Sequence, residues 1–554
     1  MARVLENTEP LGSDTIVDER EETMVSLTGG QPTLRMARFL KPSTGYPGEA
    51  VQVPSVPLLF DTAASGLPKW PIKIAFKGWR WRNPQKWKEW IEGLHPHYGD
   101  VWKDVGIHEA IRSSACQIRR DGELILRLVE FWCPETNTFV FPWGEATITL
   151  EDVFVLGGFS ILGESVTGSL PEELAAIGEE MNKERRKFSK TKARKASHSD
   201  WMNYFMGRGG ESEHVAFLSL WLSKFVFPAP PFKTVSSDVF PISIRLAKGT
   251  PLALAPAVLA SIYRDLRILK EQVLTAAAST DSADESKDGV PFAVWAPLQL
   301  VQMWAWEHFP VLRPTPNPLN QGKPRAAQWQ DLKSEVEPET VRSVIASLPE
   351  NFLWRPYVAN LVSNWKPPSF YKEQEGWFLD CPDLNTELRS FARCLKACEL
   401  VGLKCIEQYL PHRVAMQFGI DQDLPGRFTR CNATWEDAWR TYDNPRRYAR
   451  FYIPARLFES DVTMRYLEWW KQMKNPPPPE RSPQREGNTA ESPCSFDAIA
   501  KYTSRRYGWG RQDCADEESS KEVPTPIRDL EARIAKLERS YDERIAQLKK
   551  CIRG

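Results

Sequence analysis

Between residues 79 and 473 apolar side chains return every three or four positions, and no longer period recurs that would stack like units into a solenoid. Such a pattern confines the chain to a mainly α fold, a single large helical domain in which any β structure is minor. Its interior must be unusually aromatic, since 22 Trp stand against 14 Tyr in 554 residues.

Three breaks set the domain limits. Residues 1–66 are polar and rich in Pro and Gly, and read as an extended arm with the helical domain following over 67–473. Residues 275–289 have the low hydrophobicity of an inserted surface loop. Residues 474–526 open on four prolines, carry many charges and too few apolar residues for a core, and read as a disordered linker. In residues 527–554, Ile527, Leu530, Ile534, Leu537, Tyr541, Ile545, Leu548 and Ile552 step by three and four, the seam of a short coiled-coil helix. Either a second chain covers that seam, making a homo- or hetero-oligomer, which we favour, or it folds back on the domain.

Within the domain, Trp87, Trp90, Ile91 and Leu94 predict one helix, ending near Gly93, and Leu124, Leu128, Val129 and Trp132 another. Residues 139–141 and 147–149 alternate as short strands about a turn at 142–145. Thr149 then suits an N-cap, with Asp152 in the capping-box place and Gly157 and Gly158 as the stop of a short helix. Residues 215–227, 298–309, 386–401, 414–418, 435–442 and 462–473 read as further helices.

These residues carry a resemblance. The run Phe139-Val-Phe-Pro-Trp-Gly-Glu-Ala-Thr-Ile-Thr-Leu-Glu-Asp-Val153, with Gly157-Gly158 and Gly163-Glu-Ser-Val-Thr-Gly168 behind it, resembles the signature of the plant mobile domain family, also labelled aminotransferase-like. Further blocks follow in order: Ala216-Phe-Leu-Ser-Leu-Trp-Leu222, Leu300-Val-Gln-Met-Trp-Ala-Trp-Glu-His308, residues 409–419 with Asp421-Gln-Asp423, and Arg465-Tyr-Leu-Glu-Trp-Trp470. The resemblance spans about residues 23–473. It implies a nuclear protein tied to transposable elements, gene silencing, genome stability and meristem development, and it supplies no catalytic residues.

The residues themselves argue against an enzyme. An aminotransferase needs a doubly wound scaffold for its cofactor lysine and phosphate cup, which the helical pattern lacks, so no cofactor is expected. The phosphatase strings Gly-Asp-x-His-Gly and Gly-Asn-His-Glu do not occur, nor do a P-loop, a Gly-x-Ser-x-Gly elbow or a His-Glu-x-x-His helix. Cys394, Cys398, Cys405 and His412 lack the close knuckles of structural zinc and read as core thiols and a satisfied histidine. The first 22 residues lack the apolar core of a secretory signal, and the longest apolar stretch, 215–227, is too short for a bilayer, so no membrane partner is expected. Ten irregularly spaced Cys read as reduced thiols of an intracellular protein.

Lys plus Arg balance Asp plus Glu at 72 each, so any contact with nucleic acid must be a local patch. Two qualify. Lys73, Lys77, Arg80, Arg82 and Lys86 interleave with Trp79, Trp81, Trp87 and Trp90, either to meet phosphate while rings stack on bases or, as we favour, with the rings in the core and the basic stems over them. Lys183, Arg185, Arg186, Lys187, Lys190, Lys192, Arg194 and Lys195 are broken by one acid, Glu184, and suit a nuclear import signal, a phosphate-binding strip or a solvated helix face. Two functions therefore stand: a non-enzymatic nuclear interaction protein with protein partners, or a transposon-derived domain that binds or processes nucleic acid.

Overall fold

The computed structural model describes residues 15–52, 72–79, 85–190, 195–278, 291–334, 336–347, 349–358, 365–429, 434–443 and 449–474. Fourteen α-helices and only two- and three-stranded sheets appear among them, so the fold is mainly α. The linker 474–526 beyond Lys474, the helix expected over 527–554 and residues 279–289 of the expected 275–289 loop lie outside the described residues; residues 275–278 are not loop but the last turn of the helix Leu254–Ala278.

The helix Leu150–Gly157 lies near the centre, packed between the 25-residue helix Leu254–Ala278, Gln299–His308 and Thr386–Cys394. Its start is the expected capping box: Thr149 accepts from the Asp152 N–H and the Asp152 side chain from the Thr149 N–H. Gly158, at φ +71°, closes it, and a Cβ there would sit 2.6 Å from the backbone of Ala110. A three-stranded meander, Trp132–Cys133, Thr138–Phe141 and Gly144–Ala146, leads into this helix. The second hairpin strand is thus three residues earlier than expected: Phe141 pairs with Gly144, and Thr147 instead turns its N–H to Gln417.

The Trp87 stripe is buried as expected, but its helix runs on from Gln85 to Asp104 through Gly93 and Pro96. Both are exposed, and Trp102 extends the buried stripe far enough to offset the hydrogen bond Pro96 removes. The helix expected over 386–401 ends at Cys394, and Cys398–Val401 is a strand paired with Ile406–Tyr409. Cys398-Glu-Leu-Val401 is buried on both faces, Glu399 included, so it shows no apolar alternation to read as a strand, and Gly402 lets the hairpin close, since a Cβ there would meet Cys405 Sγ at 2.7 Å. Residues 414–418 form a single 3-10 turn, Ala415–Phe418, and Val462–Thr463 is a strand before the helix Met464–Lys474.

The arm is not extended throughout. Val17–Val25 and Thr33–Leu40 form an antiparallel hairpin whose Met24 and Val25 pair with Thr463 and Val462. Val17, Met24, Val25, Ala37, Phe39 and Leu40 are buried, and ion pairs add to the docking: Arg35 meets Asp421 and Asp461 at 2.8 and 2.9 Å, Arg20 meets Asp423, and Arg465 bridges Asp423 and Glu22 at 2.6 and 2.7 Å. The Asp421-Gln-Asp423 block is the anchor for this hairpin.

Candidate functional site

The acids at the centre of the fold are the first place to look for chemistry. Asp152, fixed by the capping box, accepts from the Thr149 hydroxyl at 2.7 Å and from Tyr357 Oη at 2.6 Å, and His308 Nε2 stands 3.3 Å away. Neighbouring Glu151 is bonded to the Tyr371 hydroxyl. Burial pushes its carboxyl up to about 8, with Asp152 adding to the rise while Tyr371 and Arg355 oppose it, so Glu151 keeps its proton at neutral pH. Glu307 is held by Arg325 at 2.8 and 3.0 Å and by Trp329 Nε1 at 3.1 Å, and Glu145 is clamped by both arms of Arg413 at 2.8 Å. These carboxylates spend their oxygens on protein donors, as buried polar groups must. A general acid or base needs a reacting proton within reach, and a cleft in the described residues lies elsewhere, lined largely by apolar atoms of Trp79, Leu156, Phe159, Phe225 and Met303. Burial holds the Cys116 thiol on its wall protonated, up to about 11.

The cysteine cluster is interior. Cys394 ends a helix rather than sharing one with Cys398, which opens a strand. Burial pushes the Cys398 and Cys405 thiols up to about 12 and His412 down to about 3, so the imidazole is neutral and donates from Nε2 to the Gly426 carbonyl at 3.2 Å. Among the described residues no group of three or more His, Cys, Asp or Glu is placed to hold a metal.

Trp79, Trp87 and Trp90 are 4%, 0% and 1% exposed, and their N–H groups donate inward to Ile118 O, Ser114 Oγ and Glu213 Oε1. They pack the core and offer no face to a base. Arg80, Arg82 and Trp81 lie outside the described residues, as do Lys192, Arg194 and the whole seam from Ile527 to Ile552. Lys183, Arg186, Lys187 and Lys190 project from the exposed side of Ala175–Lys187 and the turn behind it. Arg185 does not belong to a solvated face: it is half-buried and donates to Val235 O at 2.9 Å.

The two basic patches meet across the helix His198–Phe205. Lys86 Nζ donates to Asn203 Oδ1 at 3.0 Å, Lys187 Nζ lies 3.5 Å from Tyr204 Oη, and Lys77 and Lys195 both reach Phe232. Sequence reasoning missed Arg208, Lys233 and the residues they surround, because single basic residues carry no local pattern.

The plant mobile domain profile matches residues 106–471, and the chain belongs to that family. It is similar to three proteins of Arabidopsis thaliana, each over 56% of this chain: Serine/threonine-protein phosphatase 7 long form homolog at 27% identity, Protein MAINTENANCE OF MERISTEMS at 26% and Protein MAIN-LIKE 2 at 25%. The match spans 22%, 59% and 44% of their respective lengths. No solved structure matches the chain.

Proposed function

We propose that the chain is a non-enzymatic nuclear interaction protein acting in transcriptional silencing of transposons, genome stability and meristem development, its domain engaging protein partners and its C-terminal helix joining copies. The observation that carries the reading is the commitment of Glu145, Asp152 and Glu307 to internal donors. The name of one relative, Protein MAINTENANCE OF MERISTEMS, supports the biological setting. The phosphatase in the first relative's name does not transfer, because the two metal-site strings are missing and that match covers 22% of the relative. Entry into the nucleus rests on Lys183, Arg186, Lys187 and Lys190, with Lys192, Arg194 and Lys195 following in sequence.

The test is a loss-of-function plant line. Transposon transcripts should rise in it and return to wild-type levels when the chain is restored as a fluorescent fusion that accumulates in nuclei. Unchanged transcripts, or a fusion confined to the cytoplasm, overturn the reading.

A further inference from the structure

We propose that the surface around the helix His198–Phe205 binds the phosphate backbone of double-stranded nucleic acid, irrespective of its sequence. At one end of this helix three cations from separate segments gather on one residue. Lys77 Nζ lies 4.5 Å and Lys233 Nζ 5.4 Å from the centroid of the Phe232 ring, and Lys195 Nζ donates to the Phe232 carbonyl at 3.3 Å. None of the three is paired with a carboxylate among the described residues. Like charges gathered this way repel one another, and a polyanion relieves that.

Lys233 is also held at φ +59°, in the left-handed region that a side chain enters at a cost of about 1 kcal/mol or more. Its carbonyl is pinned there by the His198 N–H at 3.0 Å, which ties it to the start of the helix. Strain kept in place by its surroundings is a mark of a functional position.

At the other end Lys86 holds Asn203, the Arg208 guanidinium lies 3.5 Å above the Tyr204 ring, and Lys187 faces the Tyr204 hydroxyl. The helix between the two groups is about 10 Å long at 1.5 Å per residue, the rise of about three nucleotides along one strand. Glu184, bonded to Lys187 and Tyr204, Asp200, bonded to the Ser197 hydroxyl, and Glu213, which accepts from the Gly207 and Gly209 N–H groups on either side of Arg208, are acids beside the cations. The ligand is a duplex rather than a single strand because Trp79, Trp87 and Trp90 are buried and the half-exposed rings of Phe232 and Tyr204 already carry Lys77, Lys233 and Arg208 over them, leaving cations that position a backbone without reading sequence.

The experiment titrates the purified full chain with a labelled random-sequence 20-base-pair DNA duplex across a range of NaCl. Six phosphate contacts predict a log–log salt slope of about −5, and the triple variant Lys77→Gln, Lys195→Gln, Lys233→Gln should lower it to about −3 with at least a tenfold loss of affinity at low salt. Glu184→Gln, which releases Lys187, should tighten binding severalfold and gives a reading even if the triple variant fails to fold. An absent or salt-insensitive interaction, tighter binding to single strands, an unchanged Glu184→Gln affinity, or displacement by polyglutamate at equal charge, which would assign the face to acidic proteins, each overturns the proposal. The assay uses no localisation or silencing readout, so it stands apart from the proposed function.

Discussion

Replacing Glu151 with Gln should stabilise the domain, and increasingly so as the pH rises. The carboxyl is buried against the Tyr371 hydroxyl, and burial raises it from 4.5 to about 8. Between those values the folded chain binds a proton that the unfolded chain has released, so stability is fully present below about 4.5 and falls as the pH climbs towards 8. At pH 7 the gap is about 2.5 pH units, or about 3 kcal/mol at 1.36 kcal/mol per unit. Glutamine keeps the shape and an oxygen for the Tyr371 hydroxyl but has no proton to lose. With an unfolding entropy of about 2.1 cal/mol/K per residue over roughly 400 residues, the Tm advantage should be about 3–4 °C at pH 7 and close to zero at pH 4.5. His214 and His412 are pushed the other way, to about 4 and about 3, and lose stability as the pH falls below 6.5, but they act equally in both proteins and cancel. Calorimetry of the pair from pH 4.5 to 8 is the assay. A gap that stays flat or shrinks with rising pH would mean Glu151 is ionised in the folded chain, and the argument for a neutral interior acid would fail.

Arg413→Met strands the Glu145 carboxylate in the core and should cost about 3–5 kcal/mol, seen as a large Tm drop; a drop within 1 °C would refute the buried pair. Arg186→Ala, Lys187→Ala and Lys190→Ala together should leave the Tm unchanged while moving a fluorescent fusion to the cytoplasm, whereas undiminished nuclear accumulation removes these residues from the import signal. Ile534→Asp with Leu537→Asp should lower the mass in light scattering and leave the domain's Tm alone; a lower Tm at constant mass would place the seam against its own domain. EDTA should not shift the Tm, since Cys394, Cys398, Cys405 and His412 are packed as core groups, and a fall in Tm would show a metal among them.

What could be read from sequence was local. Thr149 and Asp152 are three residues apart and their capping box needs nothing else, and the Trp87 stripe follows from helical spacing alone. The hairpin at Val17–Leu40 was invisible because its third strand, Val462–Thr463, lies over 400 residues away and its buried residues, Val17, Met24, Val25, Ala37, Phe39 and Leu40, sit mostly at strand ends among charged neighbours without a regular alternation. Cys398–Val401 was misread because four residues buried on both faces, Glu399 among them, carry no alternation that separates a strand from a helix. The basic surface needed the fold most: Lys77 and Lys195 share Phe232 only because the chain brings three distant segments together.

The central claim, that the domain works without chemistry of its own, is tested most directly by restoring the loss-of-function line with the Glu151→Gln chain at wild-type abundance. Glu151 is an interior acid that holds a proton at neutral pH, as a general acid must. Transposon transcripts should return to wild-type levels. Transcripts that stay high while the variant protein is folded and nuclear would contradict the account and make Glu151 a catalytic residue.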